Sequence, residues 1–194
     1  MLPGLSNADF CLAPLTRSNQ GIGHSEWGEE LDQKVLKEPV CHFAVVARDH
    51  AGRVVAILSG HIDGEPSLYA GGQYTVTRYQ KQGLMTWLYS EIAQRYQLPM
   101  LYGYLPTGVG GKFLSGSRIF KGGLRGVSDI CWTDIDLDEV GKFLNQNQKR
   151  LWREFRLEVA TSDEGRRALM QEYHASEALT PPSLTSGTAV LEAA

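Results

Sequence analysis

The sequence has few of the features that indicate a metal site, a disulfide framework or a membrane span. Its three cysteines, Cys11, Cys41 and Cys131, form no CxxC pair, and its five histidines show neither H-x-H nor H-x-x-x-H spacing. Zinc sites and disulfide-stapled folds normally need such pairs. We therefore expect no metal, and the cysteine usage fits a reducing, cytoplasmic setting. No apolar run approaches the roughly 20 residues that span a bilayer, and the N-terminal segment lacks the pattern of a signal peptide.

Charge of one sign is not in excess either. The 19 lysines and arginines and 22 aspartates and glutamates give a net charge of −3. Without a basic surplus, nucleic acid is not expected as a partner. The 194 residues are 42% hydrophobic and 21% charged, which is the ordinary composition of a globular domain with a normal core.

Hydrophobic patterning predicts that strands and helices alternate along the chain. Two β-branched runs at residues 40–48 and 53–62 flank turn chemistry and predict a hairpin. Gly71 and Gly72, inside a later strand, predict a bulge or a close backbone approach. Further strands are predicted at residues 9–16, 67–78, 100–105 and 127–135. Helices are predicted at residues 25–38, 84–96, 137–159 and 162–178, with at most a short helix near 111–118 in the glycine-rich loop 106–126.

The loop at residues 80–85 lies between the 67–78 strand and the 84–96 helix. Gly83 has no Cβ, so a ligand can approach the main chain there. The first backbone N–H groups of a helix have no intrahelical partner and lie at the positive end of its dipole. An anion such as a pyrophosphate is the natural ligand of such a loop, and Lys81 could add positive charge at the rim.

This strand, loop and helix resemble the acyl-CoA-binding block of the GCN5-related N-acetyltransferase (GNAT) family. The loop of that family reads Gln/Arg-x-x-Gly-x-Gly/Ala. Gln80 and Gly83 occupy its first two signature positions, and Met85 stands where a small residue is usual. The order of strand, helix, hairpin, long strand, loop, helix and strand over residues 9–105 is also the order of the family.

The resemblance implies an α/β (α+β) fold. Its core would be a central mixed, mostly antiparallel sheet flanked by helices, followed by a C-terminal helical extension. The predicted division is a GNAT-like acyl-CoA-binding domain at residues 1–135, a helical extension packed on it at 136–180, and a flexible tail at 181–194. The extension has no place in a minimal member of the family and could bind a partner or form a homodimer.

The resemblance also implies acetyl-CoA, or another acyl-CoA, as the cofactor. A strand edge would pair with the pantetheine arm, and the loop would hold the pyrophosphate. The residues that these two roles implicate are Tyr74, Thr75, Val76, Thr77, Gln80, Lys81, Gln82, Gly83, Leu84 and Met85. A backbone N–H near Gly71 or Gly72 could polarise the thioester carbonyl.

The implied reaction moves an acetyl group to an amine of a small molecule or a protein by direct attack in a ternary complex. It needs a base for the ammonium and an acid for the leaving thiolate. In the family, the acid is often a tyrosine four residues before a Gly-Phe pair. If Phe120 is the aromatic residue of that pair, Ser115 replaces the tyrosine.

Other residues therefore become candidates for the proton transfers. The candidate acids or thiol-binding groups are Ser115, Ser117, Tyr102 and Tyr104. The candidate bases are His42, His61, Asp63 and Glu65, and water could also carry the proton. Because the usual acid is absent, a second hypothesis is a catalytically weak or inactive binding or regulatory protein that acts through its helical extension.

Overall fold

The computed structural model describes residues 27–63, 67–104, 108–127 and 129–179. Within these ranges, seven strands form one sheet: β1 (Val40–Arg48), β2 (Val54–Asp63), β3 (Ser67–Thr75), β4 (Met100–Tyr104), β5 (Phe120–Val127), β6 (Ile130–Ile135) and β7 (Arg156–Ala160). The α-helices in the same ranges are α1 (Glu29–Val35), α2 (Leu84–Tyr96), α3 (Gly108–Gly116), α4 (Leu137–Glu154) and α5 (Asp163–Ala178). None of these helices is long and apolar enough to cross a membrane.

The sheet is mixed and mostly antiparallel. Its strand order is β5-β6-β4-β3-β2-β1-β7, and only the β3–β4 pair is parallel. Parallel neighbours need a crossover connection, which α2 supplies here. The predicted mixed, mostly antiparallel sheet flanked by helices is therefore confirmed. The succession of hairpin, long strand, loop, helix and parallel strand is also the order that the family resemblance implies.

The side chains of β1 alternate between the two faces of the sheet, as the pleat requires. Phe43 and Val45 pack with residues of α1, α2 and α4 on what we term the α2 face. Ala44 and Val46 pack against α5 on the opposite, α5 face. Burial of each large side chain of this kind contributes about 1.5–3 kcal/mol. The core on the α2 face thus holds α2 firmly against the sheet, with its first turn next to the end of β3.

The predicted helix at 137–159 is wrong at its C-terminal end. α4 ends at Glu154, and β7 follows and pairs with β1 as Ala47↔Leu157 and Val45↔Val159. Leu157 and Val159 alternate with polar residues, which is strand periodicity. The prediction of one continuous helix over residues 137–159 missed that alternation. The segment after residue 135 therefore contributes a strand to the sheet, while the proposed boundary at that residue stays a prediction.

The predicted loop at 106–126 also contains more regular structure than expected. It holds α3 and most of β5, which pairs with β6. Gly122 and Gly123 have φ angles of 73° and 68°, and the pairing register shifts between Lys121 and Arg125. Glycine is a poor strand former, so propensity did not indicate this strand. The predicted strand at 9–16 and the tail at 181–194 lie outside the described residues.

Asp49 ties the β1–β2 turn to the segment that precedes the loop at 80–85. Its carboxylate accepts hydrogen bonds from the backbone N–H groups of Ala51 and Arg53, and from the Arg53 guanidinium at 2.6 and 2.9 Å. The hydroxyl of Tyr79, in a short 3₁₀ turn after β3, donates to the same carboxylate at 2.7 Å. One carboxylate thus fixes both turns.

This arrangement predicts acid sensitivity. Burial alone would raise the pKa of Asp49, but the hydrogen bonds from Arg53 and Tyr79 outweigh it and lower the pKa to about 2. A lowered carboxylate pKa stabilises the fold above the unfolded pKa of about 3.9, and that stability is lost as the pH falls towards about 2. With screening by solvent at the exposed guanidinium, we expect a loss of about 1 kcal/mol. Urea unfolding of the wild type and of Asp49→Asn between pH 5 and 2 measures this loss. If the unfolding free energy changed with pH equally in the two proteins, the role of Asp49 would be contradicted.

Candidate functional site

A cavity of about 810 Å³ lies where β3 and β4 part. The two strands pair from Ser67↔Met100 to Ala70↔Gly103, and β3 then continues to Thr75 without β4 beside it. A Cβ on Gly103 would lie 2.8 Å from the carbonyl oxygen of Ala70. Glycine at this position therefore allows the close approach from which the two strands diverge.

The edge of β3 beyond this point faces the cavity. On its other side β3 stays paired with β2, and the Val76 N–H donates to the Val55 carbonyl at 3.0 Å. Backbone groups alternate in direction along a strand, so those of Gln73 and Thr75 lie on the cavity side. The register shift at Gly71 confirms the predicted bulge. An extended ligand could add to this edge as an extra strand.

The loop at 80–85 closes one end of the cavity with the N terminus of α2. Gly83 is the N-cap residue, with a φ of 84°, and no side chain caps the helix. The first intrahelical bond runs from the Trp87 N–H to the Gly83 carbonyl at 2.9 Å. The N–H groups of Leu84 and Met85 precede that bond and have no intrahelical acceptor. The helix start therefore presents backbone N–H groups of the kind to which anions bind, and the predicted anion site stays a prediction.

Helix α4 supports this loop from behind. A Cβ on Gly83 would lie 3.6 Å from the ring of Phe143. The guanidinium of Arg150 donates to the Gln82 carbonyl at 3.2 Å and forms an ion pair with Glu154 at 3.1 Å. The sequence pattern did not predict this contact of Arg150 with the loop. Its position at the loop depends on tertiary packing across 68 residues, which no local pattern reveals.

The structure places most, but not all, of the predicted cofactor-binding residues around the cavity. Those that line it are Tyr74, Thr75, Gln80, Lys81, Gly83, Leu84 and Met85. The other three do not line it. Val76 is buried in the core under α5, Thr77 begins the 3₁₀ turn, and the Gln82 side chain donates to the Arg78 carbonyl.

The four candidate acids separate into two groups. Tyr102 and Tyr104 line the cavity, whereas Ser115 and Ser117 do not. Ser115 is exposed on α3, and its hydroxyl donates to the Gly111 carbonyl at 2.8 Å. Phe113 and Leu114 occupy the cavity-facing side of that helix instead, so the serines lie away from the space that a cofactor could fill.

Tyr102 also belongs to a polar cluster at the end of the cavity where β3 and β4 are still paired. Its hydroxyl lies 2.5 Å from Asp63 Oδ2 and 2.9 Å from His61 Nε2. The Ser67 hydroxyl donates to Asp63 Oδ1 at 2.6 Å. The ring of Tyr69 stacks on His61 with centroids 4.5 Å apart. The cluster therefore brings together two of the predicted bases and one predicted acid, while Glu65 lies outside the described residues.

The surroundings of His61 favour the neutral form of its imidazole. Burial lowers its pKa, and the neighbouring His42 lowers it further, while the charge of Asp63 acts in the opposite direction. A neutral imidazole can accept a proton through one ring nitrogen and donate a hydrogen bond through the other. The cluster therefore has the chemistry of a general acid–base site.

A cysteine and a buried tyrosine complete the wall of the cavity. The Cys131 thiol lies 3.3 Å from the Tyr104 carbonyl oxygen, and burial raises its pKa. A protonated thiol is a weak nucleophile. The hydroxyl of Tyr89, on α2, donates to Gln73 Oε1 at 3.0 Å. Within the described residues, no group of three or more metal-ligating side chains comes together.

Comparison with known proteins gives matches only among solved structures. No family profile and no curated protein sequence matches the chain. A chain described as "putative acetyltransferase from Agrobacterium tumefaciens" aligns with a TM-score of 0.38 and 16% identity, over 57% of this chain and 95% of that one. Tetrahymena GCN5 aligns with a TM-score of 0.36 and 13% identity, over 56% of this chain and 76% of that one. At this level of similarity, the case for a function depends on the cavity.

Proposed function

We propose that this chain is an acyl-CoA-dependent N-acyltransferase of the GNAT type, and that the cavity between β3 and β4 holds the cofactor. One observation carries the proposal. The cavity joins an outward-facing strand edge at Gln73 and Thr75 to the uncapped N terminus of α2. Pantetheine is an extended arm with amide groups, and it ends in a pyrophosphate. The two ends of the cavity therefore match the two parts of this cofactor.

The dimensions and lining of the cavity support the same ligand. A volume of about 810 Å³ lies in the usual range of roughly 300–1,000 Å³ for cofactor sites. Aromatic side chains of Tyr89 and Phe113 form an apolar wall next to the strand edge. Lys81 lines the loop end, where it would neutralise phosphate charge. Arg150 adds a second cation behind the loop.

The proposed reaction is direct attack of an amine on the thioester. Starting from the ammonium form of the acceptor, the N–C bond forms, the C–S bond breaks, one nitrogen proton passes to the thiolate, and one is released to water. A backbone N–H near the bulge at Gly71 would stabilise the developing oxyanion. The raised pKa of Cys131 supports direct attack, because the thiol in the cavity is not available as a thiolate that carries the acyl group.

The proposal is tested by measuring thiol release from acetyl-CoA and longer acyl-CoAs with a panel of small amines and lysine peptides. We expect saturable turnover with at least one amine. We also expect the chain to bind acyl-CoA when no amine is present. Binding without turnover on any amine would favour the alternative of an inactive scaffold. No binding at millimolar acyl-CoA would overturn the proposal.

Arg150 gives a second test that leaves the cavity walls intact. We expect Arg150→Ala to weaken acetyl-CoA binding about five-fold, because it removes a cation and a brace from the loop and leaves Glu154 unpaired. The loss should shrink at high salt. The matched control is Arg153→Ala, an exposed arginine on the same helix. Equal dissociation constants for the two variants would contradict this role.

A further inference from the structure

The cluster of Asp63, Tyr102 and His61 lies directly beside the point where the cavity begins. Tyr69 and Tyr102 are opposite each other in β3 and β4, and the next pair, Ala70↔Gly103, is the last before the strands part. The pairing registers place His61, Tyr69 and Tyr102 on one face of the sheet, together with Ala44 and therefore on the α5 face. Tyr102 is the member of this cluster that lines the cavity.

The hydrogen-bond geometry fixes which group in the cluster donates and which accepts. A phenol has one proton, and the 2.5 Å contact of Tyr102 with Asp63 places that proton towards the carboxylate. His61 Nε2 must then donate to the Tyr102 oxygen at 2.9 Å. The second oxygen of Asp63 accepts from Ser67. Asp63 is thereby held in place as an acceptor, and Tyr102 connects it to the cavity.

The surroundings of His61 contain groups from four strands. They are His42 on β1, Asp63 on β2, Tyr69 on β3 and Tyr102 on β4. His42 is the basic neighbour, with its ring centroid 5.1 Å from that of His61. Asp63 is the acidic neighbour. Protonation of His61 would therefore place a cation beside both His42 and the Tyr102 oxygen.

We propose that Tyr102 is the catalytic proton carrier of the acyl transfer, with Asp63 as the proton acceptor behind it and His61 as a positioning residue. This proposal rests on the proposed function. It also assigns the α5 face as the side from which the acceptor amine reaches the thioester. Tyr104 is the poorer carrier, because this residue is 68% exposed.

The proton transfers balance as follows. The acceptor enters as the ammonium, and Tyr102 takes one proton from its nitrogen and gives its own to Asp63. The nitrogen forms its bond to the carbonyl carbon, and the C–S bond breaks. Tyr102 then protonates the sulfur and recovers a proton from Asp63. The second amine proton leaves to water, so the products are the amide, the free thiol and one proton.

The test compares turnover with cofactor binding in the full-length chain. We expect Tyr102→Phe to lower kcat at least 100-fold, while the dissociation constant of acetyl-CoA from calorimetry stays within two-fold. Phenylalanine keeps the ring packing against Tyr69, so folding should be preserved, and circular dichroism checks this. The matched control is His50→Gln, an exposed turn histidine, which should retain wild-type kcat. A kcat for Tyr102→Phe above half the wild-type value would overturn the assignment.

The pH profile tests the role of His61 separately. We expect kcat to fall as the pH drops below the ordinary histidine pKa of about 6.5, because the imidazolium makes the Tyr102 oxygen less basic. His61→Gln keeps a donor and should remove this acid limb, while His61→Leu should lose activity at every pH. An unchanged acid limb in His61→Gln would contradict the role.

If the wild type fails to bind acetyl-CoA, the proposed function fails. If Tyr102→Phe retains both binding and turnover, only the assignment of Tyr102 as the proton carrier is overturned.

Discussion

The Gly83→Glu variant is expected to bind acetyl-CoA at least 100-fold more weakly than the wild-type chain. Two effects combine. The carboxylate would stand at the start of α2, next to the backbone N–H groups that are proposed to hold the pyrophosphate. The residue has a φ of 84°, which disfavours any side chain, and its Cβ would contact the ring of Phe143 at 3.6 Å. Isothermal calorimetry with the purified variant measures the loss.

A matched variant separates charge at the loop from backbone strain. Gly52 has a φ of 77°, and a Cβ there would meet nothing within 4 Å. Gly52→Glu therefore introduces the same residue at a similar φ, in the β1–β2 turn instead of the loop. We expect it to bind acetyl-CoA with wild-type affinity. Comparable affinities for the two variants would show that the loop at 80–85 does not hold the phosphates.

The Gly60→Ala variant is expected to lose about 3 kcal/mol of unfolding free energy, at the upper end of overpacking effects. A Cβ at this position would lie only 1.9 Å from the backbone carbonyl oxygen of Tyr69. Because a carbonyl within a sheet cannot rotate away, β2 and β3 must separate locally. The separation would fall next to His61, so it would also disturb the polar cluster. Urea unfolding followed by circular dichroism measures the loss.

Gly116→Ala is the control for the Gly60→Ala variant. A Cβ at Gly116 would meet nothing within 4 Å, and alanine is the better helix former. Its unfolding free energy should stay within about 0.5 kcal/mol of the wild type, as is usual for surface changes. If Gly60→Ala proved as stable as Gly116→Ala, the close approach of β2 to the Tyr69 carbonyl would be contradicted.

The sequence predicted those elements in which one periodicity prevails. The β1–β2 hairpin combines β-branched strands with strong turn residues, and β1 has the predicted bounds Val40–Arg48. α2 has the predicted bounds Leu84–Tyr96, because its apolar stripe follows a glycine and ends before Pro99. The bulge at Gly71 was also predicted. In each case the signal lies in a few neighbouring residues.

The missed elements depend on pairing between distant segments. β7 forms because β1 has an edge that accepts the alternating residues Leu157 and Val159, although a helical stripe also runs into them. β5 contains Gly122 and Gly123, and it forms because β6 supplies its ladder. Neither partner could be inferred from the local sequence, since tertiary context overrides weak propensity.

The same distinction applies to the candidate site. The loop at 80–85 and Tyr102 could be selected from the sequence, because a glycine before a helix and alternating tyrosines on a strand are local features. The contact of Tyr102 with Asp63 and that of Arg150 with Gln82 join residues 39 and 68 positions apart. Ser115 was selected by its spacing from Phe120, but α3 directs it to solvent.

A crystal structure of the chain with bound coenzyme A tests the central claim most directly. The account predicts the pantetheine arm in the cavity, with its amide groups paired to the backbone of Gln73 and Thr75. It also predicts pyrophosphate oxygens within hydrogen-bond distance of the N–H groups of Leu84 and Met85. A cofactor bound elsewhere on the chain, or a cavity left empty at saturating coenzyme A, would contradict it.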